Sequence, residues 1–139
     1  MIRGLNHITL AVKNLEASRQ FYEDILGGTL KAIWPKGCYF ELGNIWLALI
    51  LDPELEGLPR ADYSHLAWHV DPVDFEALAH KIKGSGAVIW QENHSEGDSL
   101  YFLDPSQHKL EIHSSDLTQR LKTALTQPWE GFEVIQPSP

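Results

Sequence analysis

The chain has 139 residues, 43% of them apolar, and carries a formal net charge of −8. This length is typical of one domain of about 100–200 residues, and the composition excludes a disordered chain. The acidic excess argues against a nucleic-acid partner, which needs a basic surface. No apolar run approaches the roughly 20 residues that span a bilayer, and the first ten residues do not resemble a signal peptide. We therefore expect a cytoplasmic protein without nucleic-acid or membrane partners.

An internal repeat at an offset of 58 residues aligns His7 with His65 and Gly28 with Gly86. In the first half, a strand with period-2 alternation precedes an amphipathic helix that ends at glycine, and three short strands follow. These elements are predicted at residues 6–12, 15–26, 29–34, 38–42 and 45–51. The single Cys38 excludes an intrachain disulfide, so an apolar core must supply the stability.

The second half repeats this order of elements. The strand, the helix and the three further strands are predicted at residues 64–70, 73–82, 87–91, 99–103 and 109–113. A helix near 116–126 follows, capped by Ser115 or Asp116, and the tail at 136–139 shows no pattern. The expected single domain, 1–139, divides into module one at about 1–52, a linker at about 53–62 and module two at about 63–114.

The pattern predicts an α+β fold of paired βαβββ modules. Each module exposes a wide apolar sheet face, which it can bury against the other module or against a partner chain. Either arrangement leaves a concave sheet surface, where small ligands tend to bind.

His7 and His65 attract attention because they occupy the same place in the two repeated strands. Glu111 lies in a strand expected to be half-buried, where an unpaired carboxylate is costly and a metal ion would be a suitable partner. Two imidazoles and one carboxylate form a ligand set with open coordination positions, which is typical of catalytic metal sites. The alternative is that Glu111 is exposed at an edge and that the histidines only pack.

The loop at 93–99 is rich in oxygen donors and contains Gly97 for a tight turn. Such loops bind hard cations, although a solvated hairpin loop is the more common interpretation for a loop seen in isolation. Arg120 carries a planar fork suited to oxyanions, or is simply solvated on the last helix. Thr9 shares strand parity with His7 and is expected on the same face.

These motifs resemble the fosfomycin-resistance glutathione transferases of the FosA type, within the vicinal oxygen chelate (glyoxalase, bleomycin resistance, dioxygenase) superfamily. The resemblance covers about residues 1–132. The specific part is the Ser-Glu-Gly-Asp-Ser loop together with the downstream arginine. The matching stretches are residues 4–12, Tyr39, Leu42–Gly43, Trp46–Leu47, 62–65, Asn93, 95–99, 101–105, 108–111, Leu117, Arg120–Leu121 and Gln127–Pro128.

The resemblance implies an enzyme in which glutathione opens the epoxide of the phosphonate fosfomycin. It implies that His7, His65 and Glu111 bind a divalent metal, typically Mn2+, that acts as a Lewis acid. It further implies a domain-swapped homodimer in which His7 faces His65 and Glu111 of the other subunit.

The resemblance also assigns the remaining roles. Catalysis would involve Thr9, Tyr101 and Arg120. The phosphonate would be held by Ser95, Ser99, Tyr101 and Arg120, with Thr9 beside the reacting carbon. The thiolate would approach near Trp34, Tyr39 and Trp46. A potassium ion would bind in the loop through Asn93, Ser95, Glu96, Gly97 and Ser99.

Three positions depart from the family pattern. Gln91 stands where the family usually has lysine, His94 where it has arginine, and Leu66 where tyrosine is common. Loss of a charge-assisted hydrogen bond at Gln91 would weaken phosphonate binding by about 1.5–3 kcal/mol. Other members of the superfamily therefore remain alternatives: a glyoxalase-like or dioxygenase metalloenzyme, or a ligand-sequestering protein. Hydrolysis with Glu41 as the base is disfavoured because the segment before Trp46 is short.

Overall fold

The computed structural model describes residues 1–136, within which it contains eight strands and three α-helices. The first half consists of β1 (His7–Val12), α1 (Leu15–Gln20), a π-helical segment (Phe21–Ile25), β2 (Thr29–Trp34), β3 (Gly37–Leu42) and β4 (Ile45–Leu51). The second half consists of β5 (Leu66–His69), α2 (Pro72–Gly84), β6 (Ile89–Gln91), β7 (Ser99–Leu103) and β8 (Lys109–His113), and α3 (Leu117–Thr126) follows. Most of the predicted patternless tail, residues 137–139, lies outside the described residues.

Each half forms its own four-stranded sheet with the same topology. The strand orders are β1-β4-β3-β2 and β5-β8-β7-β6, and in each sheet the first strand of the half pairs parallel with the last. The parallel pairing follows from the helical crossover, whereas the remaining strands join as antiparallel neighbours. The predicted α+β fold of paired βαβββ modules is confirmed.

The helix after β1 departs from the uniform helix that its apolar spacing predicts. It begins where the side chain of Asn14 accepts a hydrogen bond from the Ala17 amide, but its second half winds as a π-helix. The Leu26 amide donates to the Phe21 carbonyl, five residues earlier. This wider turn lets the adjacent side chains of Phe21 and Tyr22 both enter the core, which a regular helix would not easily allow.

The predicted strand at 64–70 is shorter in the structure, where β5 begins at Leu66. The carboxylate of Asp62 accepts a hydrogen bond from the Ser64 amide at 3.1 Å, and this turn holds the preceding segment out of the sheet. His65 therefore lies immediately before its strand, whereas its repeat counterpart His7 is the first residue of β1.

The helices and the inner faces of both sheets share one apolar core. Because neighbouring strand residues point to opposite faces, Leu47 of β4 and Leu110 of β8 are fully buried in it, whereas Trp46 points to the other face and is 41% exposed. The outer faces of the two sheets are thus left for the functional side chains. No helix within residues 1–136 has the length and apolarity needed to cross a bilayer.

A buried polar cluster joins the two modules. The Tyr22 hydroxyl donates to Asp104 Oδ2 at 2.7 Å, and Oδ1 accepts from the backbone amides of Ser106 and His108. His108 Nε2 lies 2.7 Å from the carbonyl oxygen of Ala11 and donates to it. Burial raises the pKa of Asp104 and raises the pKa of Tyr22 well above its usual value. The cluster therefore spans from β1 and its helix to the β7–β8 turn.

Candidate active site

Glu111 is the centre of the polar face of the second module. It lies on β8, between β5 and β7, and is only 7% exposed. Its Oε1 is 3.0 Å from His65 Nε2, and its Oε2 accepts a hydrogen bond from the Ser99 hydroxyl at 2.6 Å. The alternative in which Glu111 sits at an exposed edge is therefore wrong, because the carboxylate is buried and partnered.

The predicted histidine ligand of the second module is oriented by contacts at both ring nitrogens. His65 Nδ1 is 2.7 Å from the carbonyl oxygen of Tyr63, which only accepts, so Nδ1 carries the proton. Nε2 is then the ring nitrogen that faces Glu111 Oε1, at 3.0 Å. An imidazole nitrogen and a carboxylate oxygen placed together are common metal-ligand types, so the donor set here fits a divalent metal ion.

His7 is held in the same manner on the first module. Its Nδ1 lies 2.7 Å from Asn6 Oδ1, which leaves Nε2 available, and its ring packs 4.4 Å from that of Trp46. Within residues 1–136 of one chain, no three His, Cys, Asp or Glu side chains lie together as a metal site. One chain thus brings His65 and Glu111 together and leaves His7 apart.

The outer face of the first module is aromatic. Ring centroids are 4.8 Å apart between Trp34 and Tyr39 and 5.1 Å apart between Tyr39 and Trp46, and His7 continues the row. Thr9 and Tyr39 are both register partners of Ala48, so they flank it on the same face. A cavity of about 550 Å³ borders this row and is also lined by Asn6, Lys31, Glu41 and Asn44.

The loop at 93–99 is held by its own polar side chains. The Asn93 amide donates to the Gly97 carbonyl at 2.9 Å, and its oxygen accepts from the backbone amide and the hydroxyl of Ser95. Glu96 accepts from Arg120 Nε at 3.2 Å and from the Ser115 hydroxyl at 3.0 Å. The structure therefore brings Arg120 to the loop, and the alternative of a free solvated arginine is wrong.

Tyr101 completes the polar face and supplies a protonated phenol. It is a register partner of Glu111 and is 5% exposed. Burial, and next the charge of Glu111, raise the pKa of Tyr101, while hydrogen bonds with the hydroxyls of Ser95 and Ser99 oppose the rise. The phenol consequently remains a hydrogen-bond donor at neutral pH, beside two further hydroxyl groups.

Comparison with known proteins agrees with this arrangement. The sequence profile described as "Glyoxalase/Bleomycin resistance protein/Dioxygenase superfamily" matches residues 4–112. The chain belongs to this superfamily.

Individual members of the superfamily match over most of their length. Glutathione transferase FosA from Serratia marcescens is 42% identical over 134 residues, which cover 95% of each chain. Metallothiol transferase FosB from Staphylococcus haemolyticus is 38% identical and covers 87% of this chain and 90% of its own length. These relatives confirm the resemblance to the fosfomycin-resistance proteins.

Solved structures of the superfamily share the fold. A variant of the fosfomycin resistance protein FosX from Listeria monocytogenes, in complex with Mn(II) and 1S,2S-dihydroxypropylphosphonic acid, superimposes with a TM-score of 0.79 at 30% identity. It covers 88% of this chain and 98% of its own. FosX from Mesorhizobium loti gives a TM-score of 0.75 at 31% identity, with 87% and 99% covered.

Two residues of the polar face were not predicted as site residues. His113 approaches Ser99 to 2.6 Å through Nδ1, although its strand parity with Glu111 was a usable signal. Trp90 packs against His65 and Tyr101, at centroid distances of 5.3 and 5.1 Å. Its indole N–H donates to two backbone carbonyls of the sheet. An irregularity in β6 between Ile89 and Gln91 directs it there, and no sequence pattern reveals it.

The three positions that depart from the superfamily branch take different places. Gln91 Nε2 donates to the Tyr63 hydroxyl at 2.8 Å, so its amide closes one side of the polar face. His94 lines a cavity of about 470 Å³ between the loop and α3. Leu66 packs against the shared core, and this contact explains why an apolar side chain suits the position.

Proposed function

We propose that this protein is a metal-dependent thiol transferase that opens the epoxide of fosfomycin with glutathione. The observation that carries the proposal is the pairing of His65 Nε2 with the buried Glu111, directly beside the hydroxyls of Ser99 and Tyr101. A metal-ligand pair and a set of oxyanion donors thus share one face. The 42% identity to a glutathione transferase supports the same activity.

The metal ligands are proposed to be His65 and Glu111 of one subunit with His7 of the other. Bound there, a divalent ion, which we propose to be Mn2+, supplies Lewis-acid polarisation of the epoxide oxygen. The proposal of Mn2+ draws support from the Mn(II) complex of the FosX relative. In both histidines Nδ1 contacts an oxygen acceptor, which leaves Nε2 as the nitrogen for the metal, and Ser99 holds the second oxygen of Glu111.

The phosphonate is proposed to bind against Ser95, Ser99, Tyr101 and Arg120. The phenol of Tyr101 donates a hydrogen bond, the two serine hydroxyls add polar contacts, and the guanidinium adds charge although it shares that charge with Glu96. A K+ ion in the loop of Asn93, Ser95, Glu96, Gly97 and Ser99 would add a second positive charge. An acidic chain can in this way bind an anion, because the local charge decides.

The thiol is proposed to enter over the aromatic row of the first module. Trp34, Tyr39 and Trp46 form an apolar wall that excludes water from the attacking sulfur, and Thr9 is placed beside the reacting carbon. In the displacement, the thiolate sulfur forms a bond to an epoxide carbon while that carbon's bond to the ring oxygen breaks. The resulting alkoxide oxygen then takes a proton from solvent.

The active unit is proposed to be a domain-swapped homodimer. His7 is exposed and apart from His65 and Glu111 within its own chain, so a complete ligand set requires a second copy. Within each chain, module one is proposed at about 1–52 and module two at about 63–114, with a linker at about 53–62 and a final helix at about 116–126. A glutathione-dependent reaction fits the cytoplasm, where glutathione keeps thiols reduced.

The decisive test is product analysis by mass spectrometry and ³¹P NMR. Purified protein with fosfomycin, glutathione, Mn2+ and K+ should form a thioether adduct, and Glu111→Gln should form none. If neither the parent protein nor Gln91→Lys formed the adduct, the proposed transferase activity would be overturned. A diol product without glutathione would instead indicate hydration, a second candidate favoured by the diol bound in the FosX relative.

A further inference from the structure

We infer that His113 is a positioning residue that holds Glu111 in the orientation needed for metal binding, acting through the hydroxyl of Ser99. The inference deepens the proposed function and rests on it, because it concerns the metal ligand Glu111. His113 itself would not touch the metal ion or the substrate.

Hydrogen-bond accounting determines the direction of each contact. Ser99 Oγ lies 2.6 Å from both Glu111 Oε2 and His113 Nδ1. A hydroxyl has one proton, and an ionised carboxylate only accepts. Ser99 therefore donates to Glu111, and the imidazole must donate to Ser99 from Nδ1–H. The geometry thus requires a proton on Nδ1 of His113.

The fold places these three side chains together and fixes the ring. Ser99 of β7 and His113 of β8 are direct cross-strand partners, and Glu111 lies two residues before His113 on the same face. Gly97 packs against the other side of the imidazole, because a Cβ there would lie 3.2 Å from Cε1. His113 Nε2 is directed to Glu96 Oε1, at 3.9 Å, beyond hydrogen-bonding distance.

This series of hydrogen bonds fixes the orientation of the Glu111 carboxylate. Oε1 faces His65 Nε2, and the fixed position of Oε2 stops the carboxylate from turning away. Outer groups that orient a metal ligand change metal affinity by about 10–100-fold. The donor at His113 Nδ1 should therefore set the divalent-metal affinity of the site.

Two matched substitutions separate the donor from the mere presence of a polar side chain. His113→Asn keeps an amide N–H close to the position of Nδ1, whereas His113→Gln moves the amide toward the position of Nε2 and leaves Ser99 without its donor. Mn2+ binding to the metal-free full-length protein is measured by EPR titration. We expect His113→Asn to bind within about threefold of the parent and His113→Gln about 10–100-fold more weakly.

A second readout measures the parent protein itself and uses His113→Asn only to assign the resonances. Long-range ¹H–¹⁵N NMR of the metal-free parent reports the tautomer of each histidine, and the resonances lost in His113→Asn identify His113 among the seven. The expected tautomer carries the proton on Nδ1.

Several results would overturn the inference. An Nε2–H tautomer would do so, as would parent-like Mn2+ affinity in His113→Gln or equal weakening in both variants. A parent protein that binds no Mn2+ would instead remove the proposed function itself, together with the inference that depends on it. Failure of the two proposals is thus distinguishable.

Discussion

The two modules share one topology but expose opposite chemistry on their outer faces. The first presents the aromatic row and the exposed His7, whose ring is held by Asn6 and Trp46. The second presents a partly buried network in which Glu111 contacts His65 and Ser99, and Glu96 contacts Arg120. The repeated fold therefore presents an aromatic face on one module and a polar, hydrogen-bonded face on the other.

The same backbone arrangement therefore carries different side chains in the two modules. The repeat has a histidine at the same place in both modules, His7 and His65, whereas the neighbouring side chains differ. Neither face contains a complete metal site within residues 1–136 of one chain. Substitutions on each face can therefore test the division between the two modules.

The largest effect is expected from substitution of the proposed metal ligands, one in each of two chains. His7→Ala and Glu111→Ala should each abolish Mn2+ binding and adduct formation, because each removes a proposed direct ligand. When the two variants are unfolded and refolded together, heterodimers gain one intact site from His7 of one chain and Glu111 of the other. Random pairing should restore about a quarter of the sites, by the symmetry of the dimer. The measurement is Mn2+ stoichiometry by EPR.

The matched controls are each variant refolded alone. A ligand set formed within one chain would leave the mixture as inactive as its components, and this result would contradict the shared site.

Damage to the polar face alone is expected from Gly97→Ala. Gly97 has φ of +73°, and a Cβ would meet the Ser115 Cβ at 2.8 Å, so the loop must shift. The strained conformation should cost about 1–3 kcal/mol of unfolding free energy, and fosfomycin binding should weaken. Isothermal titration and urea unfolding measure the two effects.

Gly57→Ala provides the control, because Gly57 has φ of +78° with no atom within 4 Å of its Cβ position. It should lose a comparable amount of stability without weakening ligand binding. Equal binding losses in both variants would contradict a specific role for the loop.

The contact between the modules is tested by Tyr22→Phe. The substitution leaves the buried Asp104 Oδ2 without its hydroxyl donor and should cost about 1–3 kcal/mol of unfolding free energy. Burial raises the pKa of Asp104, and the hydrogen bond from Tyr22 opposes this rise. For a raised carboxyl pKa, stability is greatest below the unfolded value and falls as pH rises through the folded value. Tyr22→Phe should move this loss to higher pH, as measured by urea unfolding.

The dependence of stability on alkaline pH provides a second test of the Tyr22–Asp104 contact. Burial raises the pKa of Tyr22 well above its usual value, so parent stability should fall as pH rises beyond about 10. Tyr22→Phe has no phenol to ionise at this position and should lose that part of the decline. An unchanged alkaline profile would show that other groups cause the unfolding.

The smallest expected effect comes from an added charge at Gln91. Gln91→Lys should strengthen fosfomycin binding by about 1 kcal/mol, or about fivefold, since a charged donor exceeds a neutral one by that amount. Gln91→Met is the uncharged control, and it removes the amide that donates to the Tyr63 hydroxyl. Weaker binding in Gln91→Lys, measured by isothermal titration, would indicate that this amide contact matters more than charge.

Sequence periodicity was sufficient for the modules and for the faces of their strands. Alternation of apolar and polar residues placed Glu111 opposite Leu110 and Ile112, and the repeat paired His7 with His65. The bounds of β2, β4, β7 and β8 agree with the prediction, because these strands carry continuous apolar or alternating patterns. The π-helical segment escaped prediction because Phe21 and Tyr22 satisfy helical spacing whether or not the turn widens.

The side-chain network required the register between strands. His113 carries a clear signal only in its parity with Glu111, since its contact with Ser99 depends on the β7–β8 alignment. Trp90 reaches the polar face through an irregularity in β6, where a strict alternation would predict otherwise. Neither placement follows from local propensity, because both are set by pairing between distant segments.

The α+β class, the duplicated module and a set of candidate site residues could be read from the sequence alone. These features depend on local periodicity and on residue chemistry, which a linear chain displays directly. Only the tertiary structure decided that His65, Glu111, Ser99 and His113 form one hydrogen-bonded series while His7 stands apart. The physical reason is that hydrogen bonds act over about 3 Å, a scale that is set by strand register and packing rather than by sequence spacing.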